Sequence, residues 1–194
     1  MRAWLSSALG VRAFSTAAVK TQPSRVKVTI EGGIATVQLA RPEKMNALDM
    51  PMFRDLAAAA RGLITDKSVR AVVIHGDGRA FCAGLDVKSV ALTPSAKANM
   101  DELLRRPEGE VSNLAQDVGY LWRRIPAPVI AATHGVCIGG GLQIALGADI
   151  RITSPSCKFS VMEAKWGLVC VSWSRSVDLR VPSPCLLRCS TCPG

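Results

Sequence analysis

The sequence contains no long hydrophobic run, and this lack excludes one class of protein at once. No apolar stretch approaches the roughly 18 residues that a membrane-spanning helix needs. The 194-residue chain is 48% hydrophobic and 20% charged. That balance is typical of a folded α/β protein and not of a disordered one. The length predicts one domain with a sizeable core, and the lack of a long apolar stretch predicts no membrane partner.

The chain also lacks a continuous basic run, although its formal net charge is +9. Residues 1–20 hold +3 and residues 170–194 hold +2, which leaves +4 spread along residues 21–169. A nucleic-acid-binding protein concentrates Lys and Arg on one face or in one stripe. The charge pattern therefore predicts no nucleic-acid partner and at most a weak attraction for an anionic ligand.

Residues 1–20 lack Asp and Glu and are rich in Arg, Ser, Leu and Ala. This composition is typical of a mitochondrial or plastid transit peptide, and the apolar stretch is too short for a secretory signal. Arg12 and Phe14 stand three residues and one residue before Ser15, as in the mitochondrial processing pattern. We expect residues 1–20 to be a disordered transit peptide and the protein to lie in the mitochondrial matrix. An ordinary disordered N-terminus is the alternative.

Of the seven cysteines, Cys82, Cys137 and Cys157 fall within the region of regular sequence pattern. A mitochondrial matrix protein lies in a reducing compartment, so these three are expected to be free, small, buried thiols. Cys82 has an alternative interpretation as a reactive thiol because it lies next to Ala83 in a glycine-bearing loop.

Apolar alternation at Val26–Ile30 and Ile34–Leu39, on either side of a glycine turn, predicts a β-hairpin. Asp49 followed by Pro51 predicts the start of a helix that continues to about Thr65. Residues 90–112 are predicted to be a mobile insert with one helical piece.

Further along, apolar residues at helical spacing predict an amphipathic helix over 114–125. A helix is predicted from Gly140, and strands at Asp149–Thr153 and Phe159–Met162. Repeating β-β-α units predict a layered α/β domain over residues 21–169. Residues 170–194 show no periodicity and are expected to be an unrelated, disordered tail.

Two glycine-bearing loops follow two short apolar strands, predicted at Ala71–Ile74 and Val129–Ala132. The first loop comprises residues 79–86 and the second residues 135–141. Small residues after a strand let a main-chain N–H approach a ligand closely. Two such groups that converge form an oxyanion hole, which binds developing negative charge on a carbonyl oxygen. Tight packing of a helix on a strand is the alternative reading of the glycines.

The spacing of the glycines in the second loop excludes two nucleotide-binding motifs. A dinucleotide motif would need glycine where Ile144 stands, and a phosphate loop would need a Lys-Ser/Thr pair that is not there. No metal-ligand motif stands out within residues 21–169.

Four segments, taken in order, resemble the crotonase superfamily, that is, the enoyl-CoA hydratase/isomerase family. They are Arg41–Leu48, Arg79–Asp86, Pro126–Gly141 and Phe159–Leu168. The resemblance extends from about Val26 to Val169. It implies a stack of β-β-α units that binds an acyl-CoA thioester, with CoA arriving as part of the substrate and no separate cofactor. Family members continue with a C-terminal helical region that builds a trimer, and we expect this chain to lack that region and not to form the trimer.

The resemblance also implies roles for individual residues. The N–H groups of Ala83 and Gly140 would hold the thioester oxygen. The CoA moiety would be bordered by Ala83, Gly84, Leu85, Asp86 and Gly140. Glu163 matches the acid/base glutamate, and its setting beside Trp166 is one that raises a carboxyl pKa toward neutrality. A surface glutamate is the alternative for this position.

Gln143 departs from the family pattern, because related hydratases place a second catalytic glutamate there. An amide side chain cannot titrate and can only orient water or substrate. Isomerases of the superfamily act with a single glutamate at the position of Glu163. The sequence therefore predicts a hydratase/isomerase-type enzyme that transfers protons at an acyl-CoA. The alternative is a catalytically inactive truncated isoform or a mis-predicted gene model of such an enzyme.

Overall fold

The computed structural model describes residues 24–162, which form two sheets flanked by helices. The strands are β1 (Val26–Glu31), β2 (Ile34–Leu39), β3 (Ala71–Gly76), β4 (Val129–Thr133), β5 (Val136–Ile138), β6 (Ile150–Thr153) and β7 (Lys158–Ser160). The helices are α1 (Met50–Thr65), α2 (Val87–Val90), α3 (Ala96–Leu104), α4 (Leu114–Tyr120) and α5 (Gly140–Gly147). None of these helices is long and apolar enough to cross a membrane.

The main sheet has the strand order β1-β2-β3-β4-β6. The predicted hairpin of β1 and β2 is confirmed, with Glu31 opposite Ile34. From β2 onward all pairs are parallel. Val37, Ile74 and Ala131 lie in register on the three central strands, and all three are fully buried. Parallel strands end at the same edge of a sheet, so the segments that follow β3 and β4 are neighbours in space.

Helix α1 begins where the sequence predicts it. The Asp49 side chain caps it by accepting the N–H of Met52 at 2.9 Å, and Pro51 occupies its first turn. Its buried face consists of Met50, Met52, Phe53, Leu56, Ala57, Ala60 and Leu63. Spacings of three and four residues place these side chains on one stripe, which packs against the sheet and α4.

The insert over 90–112 contains one helical piece, α3, as predicted, and α2 ends at its first residue. The next predicted element differs from the structure. The helix predicted over 114–125 ends at Tyr120 and continues as a 3₁₀ turn, Leu121–Arg124. Pro126 follows closely, and the residue before a proline is disfavoured in the helical conformation.

The second sheet was not predicted as such. Strand β5 lies within the second glycine loop and pairs in parallel with β7. Single bridges add two more segments to it, because Cys82 pairs with Cys137 and Leu48 pairs with Leu85. A three-residue strand between glycines is too short for apolar alternation to reveal it. This small sheet brings the two glycine loops together.

Candidate active site

The two glycine loops meet through main-chain hydrogen bonds. The N–H of Phe81 donates to the carbonyl of His134 at 2.9 Å, and that of Cys82 donates to Val136 at 3.0 Å. In return the N–H of Ile138 donates to the carbonyl of Cys82 at 3.0 Å. The first loop is therefore extended and fixed along β5 at the carboxyl end of the main sheet.

Glycines permit this close approach. Gly84 has a φ of +83°, and a Cβ built on it would lie 2.8 Å from the carbonyl oxygen of Ile138 and 3.5 Å from the nitrogen of Gly140. A Cβ on Gly141 would lie 2.5 Å from the carbonyl oxygen of Cys82. Real side chains do not tolerate such contacts, so these two positions bring the loops together only as glycine.

Ala83, predicted to donate to the ligand, makes a different contact in the structure. Its N–H donates to the carbonyl of Met45 at 3.0 Å. The segment that contains Met45 runs beside the first loop, where Leu48 donates to Gly84 at 2.7 Å and Asp86 donates to Leu48 at 3.0 Å. The Ala83 donor is therefore engaged within the protein in this conformation, and the sequence alone did not reveal this pairing.

The N–H of Leu85 is directed elsewhere. In a parallel pair, a residue bonds to the two neighbours of its partner, and the partner's own N–H points to the opposite side. Leu48 bonds in this way to Gly84 and Asp86, which flank Leu85. Within residues 24–162 no acceptor is found for the N–H of Leu85. The sequence predicts Leu85 only as a residue beside CoA. The signal for its role as a donor is the alternation of N–H directions along an extended segment.

Gly140 is the first residue of α5, so its N–H has no intrahelical acceptor. Gly139, with a φ of +52°, precedes it as the N-cap. Gly140 and Leu85 are both partly accessible to solvent. The main-chain bonds between the loops and the closeness of Gly84 to the nitrogen of Gly140 place the two donors on neighbouring loops. The Gly140 N–H also lies at the positive end of the α5 helix dipole.

Of the two predicted catalytic residues, Gln143 and Glu163, only Gln143 lies within the described residues. Gln143 is buried, at 5% exposure, one helical turn after Gly140 in α5, and its own N–H donates to the carbonyl of Gly139 at 3.0 Å. Glu163 lies outside the described residues. The carbonyl of Ser160, at the end of β7, accepts the N–H of Gly139 at 2.9 Å. The end of β7 is therefore held beside the second loop.

Asp86 ends the first loop and begins α2. Its carboxylate lies 2.9 Å from the Arg41 guanidinium and accepts the N–H of Ser89 at 3.3 Å. Partial burial by itself raises the pKa of Asp86, but hydrogen bonds from Arg41 and Ser89 outweigh it, and the net pKa is lowered. Asp86 is thus held as an anion whose charge is already matched within the protein.

Cys82, Cys137 and Cys157 are free thiols, as predicted, and Cys82 and Cys137 are fully buried. Cys157, which was also expected to be buried, is only half-buried. Burial raises the pKa of Cys82 to about 12, and burial together with the neighbouring thiols raises that of Cys137. The Cys82 thiol donates to the carbonyl of Asn46 at 3.0 Å. Because the thiolate is the reactive form, these two residues are packing groups and not nucleophiles.

His134 also has a structural contact, since its Nε2 lies 2.9 Å from the carbonyl oxygen of Gly78. No cluster of three or more potential metal ligands occurs among residues 24–162. A cleft of about 470 Å³ lies between α1, α3 and α4, but neither glycine loop lines it. The facing loops, and not this cleft, are the candidate site.

The fold and site together define an α/β protein of the crotonase type, in which two loops at one sheet edge present main-chain donors. Comparison with known proteins agrees. The sequence profile of the enoyl-CoA hydratase/isomerase family matches residues 29–180. The chain therefore belongs to the enoyl-CoA hydratase/isomerase family. The match continues eleven residues beyond Val169, where the sequence pattern placed the end of the domain.

Individual relatives agree as well. Probable enoyl-CoA hydratase EchA12 of Mycobacterium tuberculosis is 41% identical over 137 residues, which are 70% of this chain and 46% of the relative. Probable enoyl-CoA hydratase 1, peroxisomal, of Arabidopsis thaliana is 32% identical over 148 residues, 76% of this chain and 51% of the relative. The chain thus spans about half the length of the curated relatives it matches.

Solved structures show the same correspondence. The enoyl-CoA hydratase of Mycobacterium smegmatis superposes with a TM-score of 0.65 at 32% identity, covering 76% of this chain and 54% of that one. The enoyl-CoA hydratase of Thermoplasma volcanium gives a TM-score of 0.63 at 30% identity, covering 77% and 56%.

Proposed function

We propose that the whole protein is an acyl-CoA enzyme of the hydratase/isomerase type, and that the N–H groups of Leu85 and Gly140 bind the thioester oxygen. The observation that carries this proposal is a pair of main-chain N–H groups on neighbouring loops, in two partly exposed residues, neither with a hydrogen-bond acceptor among residues 24–162. Leu85 replaces Ala83 as the first donor because the Ala83 N–H is bound to Met45. Ala83, Gly84 and Asp86 remain proposed neighbours of the CoA moiety.

The chemistry follows from where charge develops. Moving a proton at the carbon atoms next to a thioester builds enolate charge on the thioester oxygen. Two fixed N–H donors stabilise that charge without reorganisation, and removing one such donor typically costs about 2.7–4 kcal/mol. The N-terminus of α5 adds a favourable dipole at the same place.

Glu163 is the proposed proton-transfer group, and Gln143 the proposed group that orients substrate or water. With glutamine at position 143, a single carboxylate has to remove and return the proton. This favours double-bond isomerisation of an enoyl-CoA over two-carboxylate hydration. The relatives named above are hydratases, so the direction of chemistry is the part of the proposal that most needs measurement.

A turnover assay tests these roles. Glu163→Gln should abolish turnover of 3-enoyl-CoA and 2-enoyl-CoA, whereas Glu108→Gln, at an exposed position outside the site, should not change it. Gln143→Glu should increase hydration relative to isomerisation because it supplies the second carboxylate. Full turnover by Glu163→Gln would exclude Glu163 as the proton-transfer group.

Replacing single main-chain amides with esters tests the donors, since an ester lacks only the N–H. An ester at Leu85 should lower kcat by about 10²–10³. An ester at Ala83 should cost only the hydrogen bond to Met45, about 1 kcal/mol of stability. If instead the ester at Ala83 lowered kcat more than the ester at Leu85, Ala83 and not Leu85 would be the oxyanion donor.

We also propose a mitochondrial matrix location, supported by the composition of residues 1–20. The Arabidopsis relative is named as peroxisomal, so location is not shared across the family. A fluorescent protein fused to residues 1–20 should enter mitochondria. The same fusion with Arg2→Glu and Arg12→Glu should stay in the cytosol, and uptake of both fusions would contradict the assignment.

A further inference from the structure

Arg41 is a buried charge with an unusual set of partners. Its side chain is 9% exposed, and a buried guanidinium has to be matched by anions and carbonyl oxygens. Its Nη2 lies 2.9 Å from the Asp86 carboxylate, and its Nη1 donates to the carbonyl of Ala47 at 2.9 Å. Its Nε lies 3.4 Å from the Asp49 carboxylate. One side chain therefore joins residues 47–49 to Asp86.

Two of those contacts are helix caps. Asp49 caps α1 by accepting the N–H of Met52, and Asp86 caps α2 by accepting the N–H of Ser89. Arg41 thus connects the first turn of α1 to the first turn of α2. Between the two caps lies the Leu48–Leu85 bridge.

The bridge gives Arg41 a connection to the site. Asp86 directly follows Leu85, and its own N–H donates to Leu48. A guanidinium that holds the Asp86 carboxylate on one side and the Ala47 carbonyl on the other fixes both partners of the bridge. The direction of the Leu85 N–H is set by that bridge. Lysine would keep the charge but lacks the fork that makes several contacts at once.

We propose that Arg41 is a positioning residue, which aligns the Leu85 N–H with the Gly140 N–H by holding Asp86 and Ala47. This rests on the proposed function, because alignment matters only if the two donors share one oxygen. The residue does not touch the substrate. Its effect is on the polarisation of the thioester carbonyl, which rises when both donors point at the oxygen.

Arg41→Lys in the full chain tests the proposal. With an enoyl-CoA substrate we expect kcat to fall at least tenfold and KM to change less than threefold. The infrared stretch of a ¹³C-labelled butyryl-CoA carbonyl should be shifted to lower frequency on binding to the wild type, and that shift should be reduced in the variant. Arg54→Lys, at the more exposed Arg54–Glu102 pair, is the matched control and should change neither quantity.

If Arg41→Lys does not fold, Asp86→Asn is used instead, with the same two readouts and the same expected loss of carbonyl shift. A folded variant with wild-type kcat and a wild-type carbonyl shift overturns the positioning role while the proposed function stands. Failure of the wild-type protein to bind butyryl-CoA or turn over any enoyl-CoA overturns the proposed function, and the positioning role with it.

Discussion

The two loops of the candidate site reach similar geometries by different means. In the first loop, side chains from residues 41–49 hold the main chain. Asn46 donates to the carbonyls of Asp77 and Ala80 at 2.9 and 2.8 Å, and Arg41 holds Asp86. The second loop has no comparable set of buried side-chain anchors within the described residues. It is shaped by glycines and by main-chain bonds to the first loop and to β7.

This difference teaches where each loop is vulnerable. A loop held by a polar network fails when a distant member of the network is removed, because buried partners are then left without hydrogen bonds. A loop held by close approach fails when a methyl group is added, because main chain cannot move aside as a flexible side chain can. The substitutions below separate these two modes, beginning with the largest expected effect.

Gly141→Ala should have the largest effect. The added Cβ would lie 2.5 Å from the Cys82 carbonyl and 2.7 Å from its Cβ, so the loops would have to separate. We expect a loss of about 3 kcal/mol in the free energy of unfolding and a loss of most activity. Urea unfolding and an enoyl-CoA assay measure the two quantities.

Gly62→Ala is the control, since nothing lies within 4 Å of its added Cβ. Gly62 is an exposed residue of α1, where alanine is favoured over glycine by roughly 0.5–1 kcal/mol. Equal destabilisation by the two substitutions would show that the loops do not depend on close approach.

Asn46→Ala should follow. It removes the two hydrogen bonds to Asp77 and Ala80 and the acceptor for the Arg41 N–H, which lies at 2.9 Å. It also places alanine at a φ of +54°, a region that asparagine tolerates better. We expect the free energy of unfolding, measured with urea, to fall by about 2–3 kcal/mol.

Asn99→Ala is the control. It removes one hydrogen bond, to the carbonyl of Val90 at 3.0 Å, and should lower the free energy of unfolding by less than half as much. A comparable loss in both would contradict a network centred on Asn46.

The sequence predicts the frame of this site better than its atomic contacts. Alternation and capping residues locate β1–β4 and α1, because each element carries its own local signal. The pairing of Met45 with Ala83 has no local signal, since it depends on how residues 45–48 lie beside residues 82–86 after folding. Because the sequence does not reveal this pairing, it predicts Ala83 as the donor, whereas the structure favours Leu85. The sequence likewise gives Arg41 no role of its own, and only the fold brings its guanidinium to the carboxylates of Asp49 and Asp86, beside that of its neighbour Glu43.

Asp86→Asn is expected to have a smaller effect that depends on pH. The pKa of Asp86 is lowered in the folded protein, so its anion contributes stability above the unfolded value of about 3.9. That contribution is lost as the pH falls through the folded pKa. We expect the variant to be less stable by about 1–2 kcal/mol at pH 6, and the difference to shrink below pH 4. Urea unfolding by circular dichroism from pH 3 to 6 measures it, with exposed Asp101→Asn as the control. A difference independent of pH would exclude the anion as the cause.

The smallest effect is expected from two exposed lysines beside the first loop. Lys44 immediately precedes Met45, whose carbonyl accepts the Ala83 N–H, and Lys88 lies in α2 just after Asp86. No carboxylate among residues 24–162 pairs with either lysine, so both remain available to an anionic ligand such as the phosphates of CoA. Exposed pairs contribute about 0.2–1 kcal/mol each, which is roughly a 1.4- to 5-fold change in affinity. Lys44→Ala and Lys88→Ala should each raise KM within that range, leave kcat unchanged, and lose their effect at high salt.

Lys67→Ala is the control, because Lys67 is exposed and follows α1; it should change neither KM nor kcat. A salt-independent rise in KM would mean that these lysines shape the first loop itself, which would make its side-chain support wider than the Arg41 and Asn46 contacts.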